Sequence, residues 1–489
     1  MKFNKWIRTT AIAALLFSSV AFTSAVNAEQ TRTIVDESIY DLLVDRYFNA
    51  TNANDDSNTD PKDPTKFAGG DFKGIGDRIS EISNMGFSII SVGSIFDTEK
   101  YDGSLITSYS AFEPSFGTRE EFIQLIDLVK DYNMSIMVDF PLTNVSKNHE
   151  WAKDSTKADW IVGTTGDVLR WDLKNKEVQE ALIDAVVQFV STYEVGGIRL
   201  TNLDIADTAF LNEMIAAIKA VDENIYVIAN SESDANFDAT FYNEVSDIFR
   251  NAFKNIDEDS SAITKYVDPF ATGKANIPTQ LMIDHLNTDR FVYSVEIYPP
   301  TRIKMAIATT LLLPGVPVMQ YGTEIAMNGE AGPEAHQLYN FKTDSELKDF
   351  IGDIQTLRNK SETLRRGDFN LIQNEDGLIV FQRSSDKENW IVIINNTSMR
   401  EKIEIPQEII GENKELRGML NGEIFRAGED GTFRIIQDRE VVEIYQVIDE
   451  RGINVSYIIA MALVYIVFIG FIVALMKRAK RQKAMNGDK

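Results

Sequence analysis

The sequence predicts the α/β class: a (β/α)8 barrel of the TIM type, followed by a small antiparallel β domain and one C-terminal transmembrane helix. Three features predict it. Short apolar runs alternate with amphipathic stretches, the texture changes after Leu364, and Val455 to Met476 contains no charge. The runs SIYDLLV, FSIISVGS, SIMVDF, GGIRL, IYVIAN, VSDIF, TQLMID and VPVMQY read as strands. Between them, Arg119 to Tyr132, Lys176 to Tyr193, Ala209 to Val221 and Thr301 to Leu312 carry apolar residues at three- and four-residue spacing, the helical period. Strands alternating with helices imply a parallel sheet, and eight such units fit a closed barrel better than an open doubly wound sheet. No Gly-rich phosphate loop follows any of the runs, which also disfavours the open sheet. After Leu364, FNLIQNEDGLIVFQRSSDKENWIVIINNTS alternates apolar and polar residues between turn signals such as Asn374 to Gly377, the pattern of antiparallel strands.

The expected organisation is a signal peptide over 1–28 and a barrel over 29–363 with a short excursion at about 144–175. A β domain over 364–447, a linker over 448–454, a transmembrane helix over 455–476 and a basic tail over 477–489 complete it. Lys2, Lys5 and Arg8 precede the apolar run Ala11 to Phe22, and Val26 and Ala28 supply the small-residue cleavage pattern of an export signal. Val455 to Met476 is long enough to cross the roughly 30 Å hydrocarbon layer. Lys477, Arg478, Lys480, Arg481 and Lys483 follow it, which by the positive-inside bias keeps the C-terminus in the cytoplasm and the body outside. With 74 acidic against 49 basic residues the chain repels nucleic acid, which excludes that class of partner. Cysteine is absent, so disulfides and thiolate metal sites are excluded as well.

The motifs resemble those of the α-amylase family of glycoside hydrolases. DRYFNATNANDD at Asp45 looks like the family's opening loop, FAGGDFKGI at Phe67 like its turn into the first helix, and SYSAFEPSFGT at Ser108 like its segment after the second strand. WDLKNKEV at Trp171, LLLPGVPVMQYGTEIAMNG at Leu311 and LRNKSETLRRGDF at Leu357 are similar to further family segments, so the resemblance covers about Ser38 to Val447. It implies retaining chemistry at α-glucosidic bonds, with a carboxylate nucleophile and a carboxylic acid roughly 5–5.5 Å apart, and a third acid that holds the distorted sugar.

At each of these positions the resemblance meets a different residue. The nucleophile follows the arginine of GGIRLT by two residues. Strand side chains alternate faces, so if Arg199 points into the barrel Thr201 does too, and Leu200 points out. A threonine hydroxyl without an adjacent base is a poor nucleophile and cannot form the glycosyl ester. The proton donor aligns with Asn230, with Glu232 two residues on as a possible substitute, and the third acid aligns with Asn287. Asp139, Arg199 and Asp284 are retained pocket residues; His285 and Leu286 stand where the family has Asn and His. Thr143 and Asn144 replace an Asn-His pair, and Ser104 and Leu105 replace the Tyr-Asp pair at the cleavage point.

The expectation is therefore an α-amylase-like barrel without hydrolytic activity, acting as a binding or scaffold module for a glucan or a membrane-protein partner. The alternative is an active hydrolase with displaced carboxylates such as Glu232, Asp204 or Asp289. Calcium is the expected cofactor, if any. Asn49, Asn54, Asp55, the Gly69 carbonyl and Asp71 offer the hard oxygen ligands it prefers, although Thr51 replaces one expected ligand. Trp151, Trp160 and Trp171 in the excursion are expected in the core or in turns rather than as sugar platforms.

Overall fold

Parallel strands over Ile39–Asp41 (β1), Ile89–Ser91 (β2), Ser135–Pro141 (β3), Gly197–Thr201 (β4), Tyr226–Ala229 (β5), Gln280–Leu281 (β6) and Val316–Gln320 (β7) pair in the order β5-β4-β3-β2-β1-β7-β6. The computed structural model describes residues 32–57, 59–450 and 455–486, with side chains of the last helix described from 459 to 482. The expected signal peptide lies outside the described residues.

Between β5 and β6 the ring is carried by two isolated parallel bridges, Ile228 to Ala239 and Thr240 to Thr279. This corrects the sixth expected strand. VSDIF lies inside the helix Asn243–Phe253, and the strand position falls earlier, at Ala239 and Thr240. The reason is spacing: Val245, Phe249, Ala252 and Phe253 bury at helical intervals, which a five-residue window cannot separate from alternation.

The other expected helices form at Arg119–Asp131 (α1), Lys176–Thr192 (α2), Thr208–Val221 (α3) and Pro299–Leu312 (α5), with Asn243–Phe253 as α4. Their starts are set by side-chain caps. Thr118 Oγ1 accepts from the Glu121 amide at 3.2 Å while Glu121 Oε2 accepts from the Thr118 amide at 2.8 Å, a reciprocal box that opens α1. Asn175 opens α2 and Asp207 opens α3 in the same manner, with single bonds of 2.9 and 2.7 Å. In β3 and β4, Val138, Phe140, Ile198 and Leu200 join the large cluster that includes the helix residues, while Met137 joins the smaller inner cluster with Ile39, Ile89 and Val318. Alternation therefore sends Asp139 and Arg199 inward, as the strand pattern requires.

The excursion carries a three-stranded sheet of Val145–Ser146, Ile161–Thr165 and Val168–Trp171. Trp160 and Trp171 are buried and Trp151 packs between them, with ring centroids 5.5 and 5.7 Å away, so the three tryptophans are core rather than platform.

After the helix Glu346–Lys360 (α6), antiparallel strands form a six-stranded sheet and a two-stranded one. They are Asp368–Glu375 (β8), Leu378–Ser384 (β9), Asn389–Asn395 (β10), Glu401–Pro406 (β11), Lys414–Gly418 (β12), Ile424–Arg426 (β13), Thr432–Gln437 (β14) and Val441–Asp449 (β15). The larger sheet runs β8-β9-β10-β15-β12-β13, and β11 pairs with β14. Strand alternation divides β9 and β10 between two cores: Val380, Ile391 and Ile393 cluster with Ile403, Ile405, Phe433 and Ile435, while Phe381, Trp390 and Val392 pack on the barrel cluster. Strand β15 continues to Asp449, into the stretch expected to be linker, because it pairs with β12 as far as Lys414 to Asp449. The last helix, Val455–Asn486 (α7), runs past Met476 into the basic segment, where Lys, Arg and Ala are all good helix formers. Its portion Ile459–Gln482 is 24 residues, long and apolar enough to cross a membrane.

Candidate functional site

At the C-terminal end of the barrel, Arg199 on β4 stands beside Asp139 on β3, its register partner. Arg199 Nε donates to Asp139 Oδ1 at 2.7 Å and Nη2 to Asp139 Oδ2 at 2.8 Å. The other edge of the guanidinium meets Asp41, the last residue of β1: Nη1 donates to Oδ2 and Nη2 to Oδ1, both at 3.0 Å. One cation thus holds two carboxylates in two forks, the strongest geometry available to such groups. All three side chains are buried. Burial raises the Asp139 carboxyl above the ordinary range; Arg199 opposes that rise and Asp41 adds to it. Burial alone disfavours the Arg199 charge, but the two aspartates outweigh it and hold the guanidinium protonated. Sequence reasoning placed Asp139 and Arg199 here and missed Asp41. Its signal was available: it is the one charged residue in the apolar run SIYDLLV, two positions from the inward Ile39.

Thr201 follows at the half-buried lip of β4, opposite Pro141. Asn230 follows β5; its amide donates to the Leu200 carbonyl at 3.1 Å, and its buried Oδ1 has no partner among the described residues. Asn287 is exposed, and its backbone amide donates to His285 Nδ1 at 3.3 Å. Asn144 and Asn202 both adopt left-handed backbone angles, φ 59°, and the Asn144 side chain donates to Asn202 Oδ1 at 3.3 Å. Asn tolerates that region better than most residues, and two such positions at neighbouring strand ends mark a shaped rim. Ser104 is exposed and Leu105 is buried.

The remaining acids are either committed or outside this cluster. Asp284 accepts from Arg250 Nη1 at 2.9 Å, the Phe291 amide at 2.8 Å and Thr323 Oγ1 at 3.0 Å. Asp289 accepts from Arg250 Nη2 at 2.7 Å and Ser294 Oγ at 2.6 Å. His285 packs edge-on to Phe241, and burial lowers its pKa. Asp204 and Glu232 are exposed and share a cleft of about 420 Å³ with Asp234, Glu244 and Tyr242. Neither is a partner of Arg199.

In the opening loop, Asn49 Nδ2 donates to Asp55 Oδ2 at 3.1 Å, and Asn54 Nδ2 donates to the Ser115 carbonyl at 2.5 Å. The Oδ1 atoms of Asn49 and Asn54 are buried without a partner among the described residues. Gly69, at φ 90°, lies so close to the Asn49 and Asp55 side chains that a Cβ there would collide with both. Asp71 is spent differently: Oδ2 accepts from the Ala50 and Thr51 amides at 3.1 and 3.0 Å and Oδ1 from Gly74 at 2.5 Å, capping the short helix Phe72–Asp77. Two orphaned amide oxygens beside a carboxylate fit a hard cation, with Asp71 as support rather than an open ligand. No group of three or more His, Cys, Asp or Glu side chains with metal-site geometry occurs among the described residues, so such a site would rest on amide and carbonyl oxygens together with the single carboxylate of Asp55.

Residues 42–168 match the family model described as alpha amylase, catalytic domain, and residues 367–445 match the alpha-amylase C-terminal domain. A cyclomaltodextrinase of Thermoanaerobacter pseudethanolicus is 24% identical over 413 residues, covering 75% of this chain and 71% of that one. A maltogenic alpha-amylase of Bacillus acidopullulyticus is 22% identical over 441 residues, covering 78% and 73%. The crystal structure of an Anoxybacillus alpha-amylase superposes with a TM-score of 0.82 at 30% identity, covering 86% of this chain and 100% of that one. That of a Geobacillus thermoleovorans alpha-amylase complexed with acarbose gives 0.80 at 28% identity, covering 86% and 100%.

Proposed function

Because the chain belongs to the α-amylase family, we propose that it is an extracytoplasmic, membrane-anchored member that binds rather than hydrolyses, serving as a docking or scaffold module for a glucan or a membrane-protein partner. The observation that carries this reading is the state of the mouth. The family resemblance puts the nucleophile and acid positions at Thr201 and Asn230, and both nearby carboxylates, Asp41 and Asp139, are spent on Arg199. Retaining hydrolysis needs one free carboxylate and one carboxylic acid on opposite sides of the bond. A neutral amide has no proton to give, and an attack by Asp139 would first have to break a bidentate charge-assisted pair. Positioning alone then leaves only a small residual rate.

A second reading is an active hydrolase. The hydrolase names of the relatives favour it, as does the convergence of two carboxylates, Asp41 and Asp139, on one guanidinium, with burial raising the Asp139 pKa. The experiment is reducing-sugar release from starch, maltooligosaccharides and cyclomaltodextrins by the purified full chain in detergent. No turnover above the blank is expected. Turnover that vanishes in Asp139→Asn, Asp41→Asn or Glu232→Gln would establish the second reading and identify its acid.

The same proposal includes calcium held by Asn49, Asn54, Asp55 and the Gly69 carbonyl, where it would stiffen the loop beside the mouth. It also includes a membrane anchor formed by α7, with Lys477, Arg478, Lys480 and Arg481 on the cytoplasmic side, supported by length, composition and charge order. Protease accessibility of the tail in sealed cells and in lysed cells checks that orientation.

A further inference from the structure

We propose that Asn421 is a self-modification site: its side-chain amide is lost as ammonia through attack by the Gly422 backbone nitrogen, and the new charge loosens the turn between β12 and β13. The nitrogen bonds to Asn421 Cγ, the ring closes as a succinimide, and ammonia leaves. Water then opens the ring at either carbonyl, leaving aspartate or, with the backbone routed through the side chain, isoaspartate. Solvent water and hydroxide supply all that the step requires besides the two residues.

The turn meets each condition. Asn421 and Gly422 are both exposed and line an open cleft of about 400 Å³, so water reaches them. Gly422 has no side chain to shield its nitrogen, adopts φ 74°, and has open space around it, with nothing within 4 Å of where a Cβ would stand. Neither the Asn421 side chain, nor its carbonyl, nor the Gly422 amide makes a hydrogen bond among the described residues. Only the Asn421 amide is held, by Glu443 Oε2 at 2.8 Å, and ring closure leaves that bond in place.

In the barrel the fold restrains a second Asn-Gly pair, Asn328–Gly329. The Asn328 carbonyl accepts from Gln337 Nε2 at 2.7 Å and the Gly329 carbonyl from the Arg290 amide at 2.9 Å, which resists the backbone rotation that closes the ring. The Gly329 amide also donates its proton to Asn328 Oδ1 at 3.0 Å, and a proton so engaged is harder to remove. Bonds that must break first slow the step by roughly tenfold or more.

The product acts on the turn through Glu443. That carboxylate is fully buried on β15 and accepts from the amides of Leu420 and Asn421 at 2.8 Å and of Ile444 at 3.0 Å. A carboxylate created at 421, two residues from Glu423, adds like charge beside a group already taken out of water. Isoaspartate also lengthens the backbone of the turn by one atom and disturbs the register of Arg417 with Ile424.

Ageing of the purified full chain in detergent at mildly alkaline pH, followed by proteolysis and mass spectrometry of the peptides, is the test. The peptide carrying Asn421 should gain the mass of an amide-to-acid exchange, with isoaspartate among the products, roughly tenfold or more faster than the peptide carrying Asn328. In urea the two should convert at similar rates, because the fold no longer restrains Asn328. The aged chain should melt at a lower temperature than the fresh one, and Asn421→Gln, whose longer side chain closes a ring far more slowly, should keep its melting temperature over the same period. An unchanged Asn421 peptide, faster conversion at Asn328 in the folded chain, or a converted chain that melts like the fresh one would each overturn the proposal. The outcome is independent of whether the barrel hydrolyses glucans.

Discussion

The barrel mouth and the opening loop both gather oxygen-bearing side chains, yet they use their oxygens in opposite ways. At the mouth, Asp41 and Asp139 turn every carboxylate oxygen onto one guanidinium. In the loop, Asn49 and Asn54 keep a buried Oδ1 each without a partner among the described residues, next to Asp55. The difference teaches that the number of acids near a cleft says little about its chemistry. What counts is which lone pairs remain uncommitted after the frame has been satisfied.

The largest effect that sharpens the comparison comes from Arg199→Met. Removing the shared cation leaves two buried carboxylates facing each other, and breaking a buried pair of this kind costs about 3–5 kcal/mol. Urea denaturation should show that loss, and adding Asp41→Asn and Asp139→Asn to the same chain should recover much of it. If Arg199→Met alone is neutral, the mouth is not the closed ion cluster described above.

A somewhat smaller effect sits at the base of the opening loop. Asp45 accepts from the Ala68 and Gly69 amides and pairs with Arg46 at 2.5 Å, yet burial prevails and pushes its carboxyl up to about 6. A raised folded-state pKa means that the folded chain binds the proton more tightly than the unfolded one. Stability supplied by this group is therefore full below about pH 4, declines as pH rises to about 6, and is flat above, an amplitude of about 3 kcal/mol. The difference in denaturation midpoint between the native chain and Asp45→Asn, followed from pH 4 to 7, reads that decline.

Calcium comes next. A saturating concentration of about 100 times Kd should stabilise the chain by about 2.7 kcal/mol. The melting temperature should rise with calcium, fall with chelator, and lose both responses in Asp55→Ala. Equal melting in calcium and chelator would make the loop an ion-free turn and dissolve its contrast with the mouth. The smallest effect belongs to Glu232→Gln. At this exposed position stability should change by less than about 0.5 kcal/mol, with sugar release unaltered.

Much of the site was legible because β-strand alternation is strict. Once Arg199 is placed inward, Leu200 must face the helices and Asp139 must lie alongside, and the clusters around them follow that rule. Asp41 escaped because β1 is only three residues long, too short for alternation within SIYDLLV to single out one inward charge. VSDIF was read as a strand for a related reason: five residues satisfy two periods at once, and only the continuation to Phe253 separates them. The true strand position, Ala239 and Thr240, has no run of its own to detect.

By itself the sequence determined the alternating α/β body, the β domain behind it, the apolar terminal helix, and the identity of the residues at Thr201, Asn230 and Asn287, since each depends on period, composition or motif order. Only the tertiary structure decided which acids are free. Asp41 and Arg199 are 158 residues apart in the chain, and their pairing at 3.0 Å exists because a closed sheet brings β1 and β4 to the same end of one barrel. Local patterns carry no information about a partner so distant, and it is that partner that sets the charge, the pKa and the availability of the group.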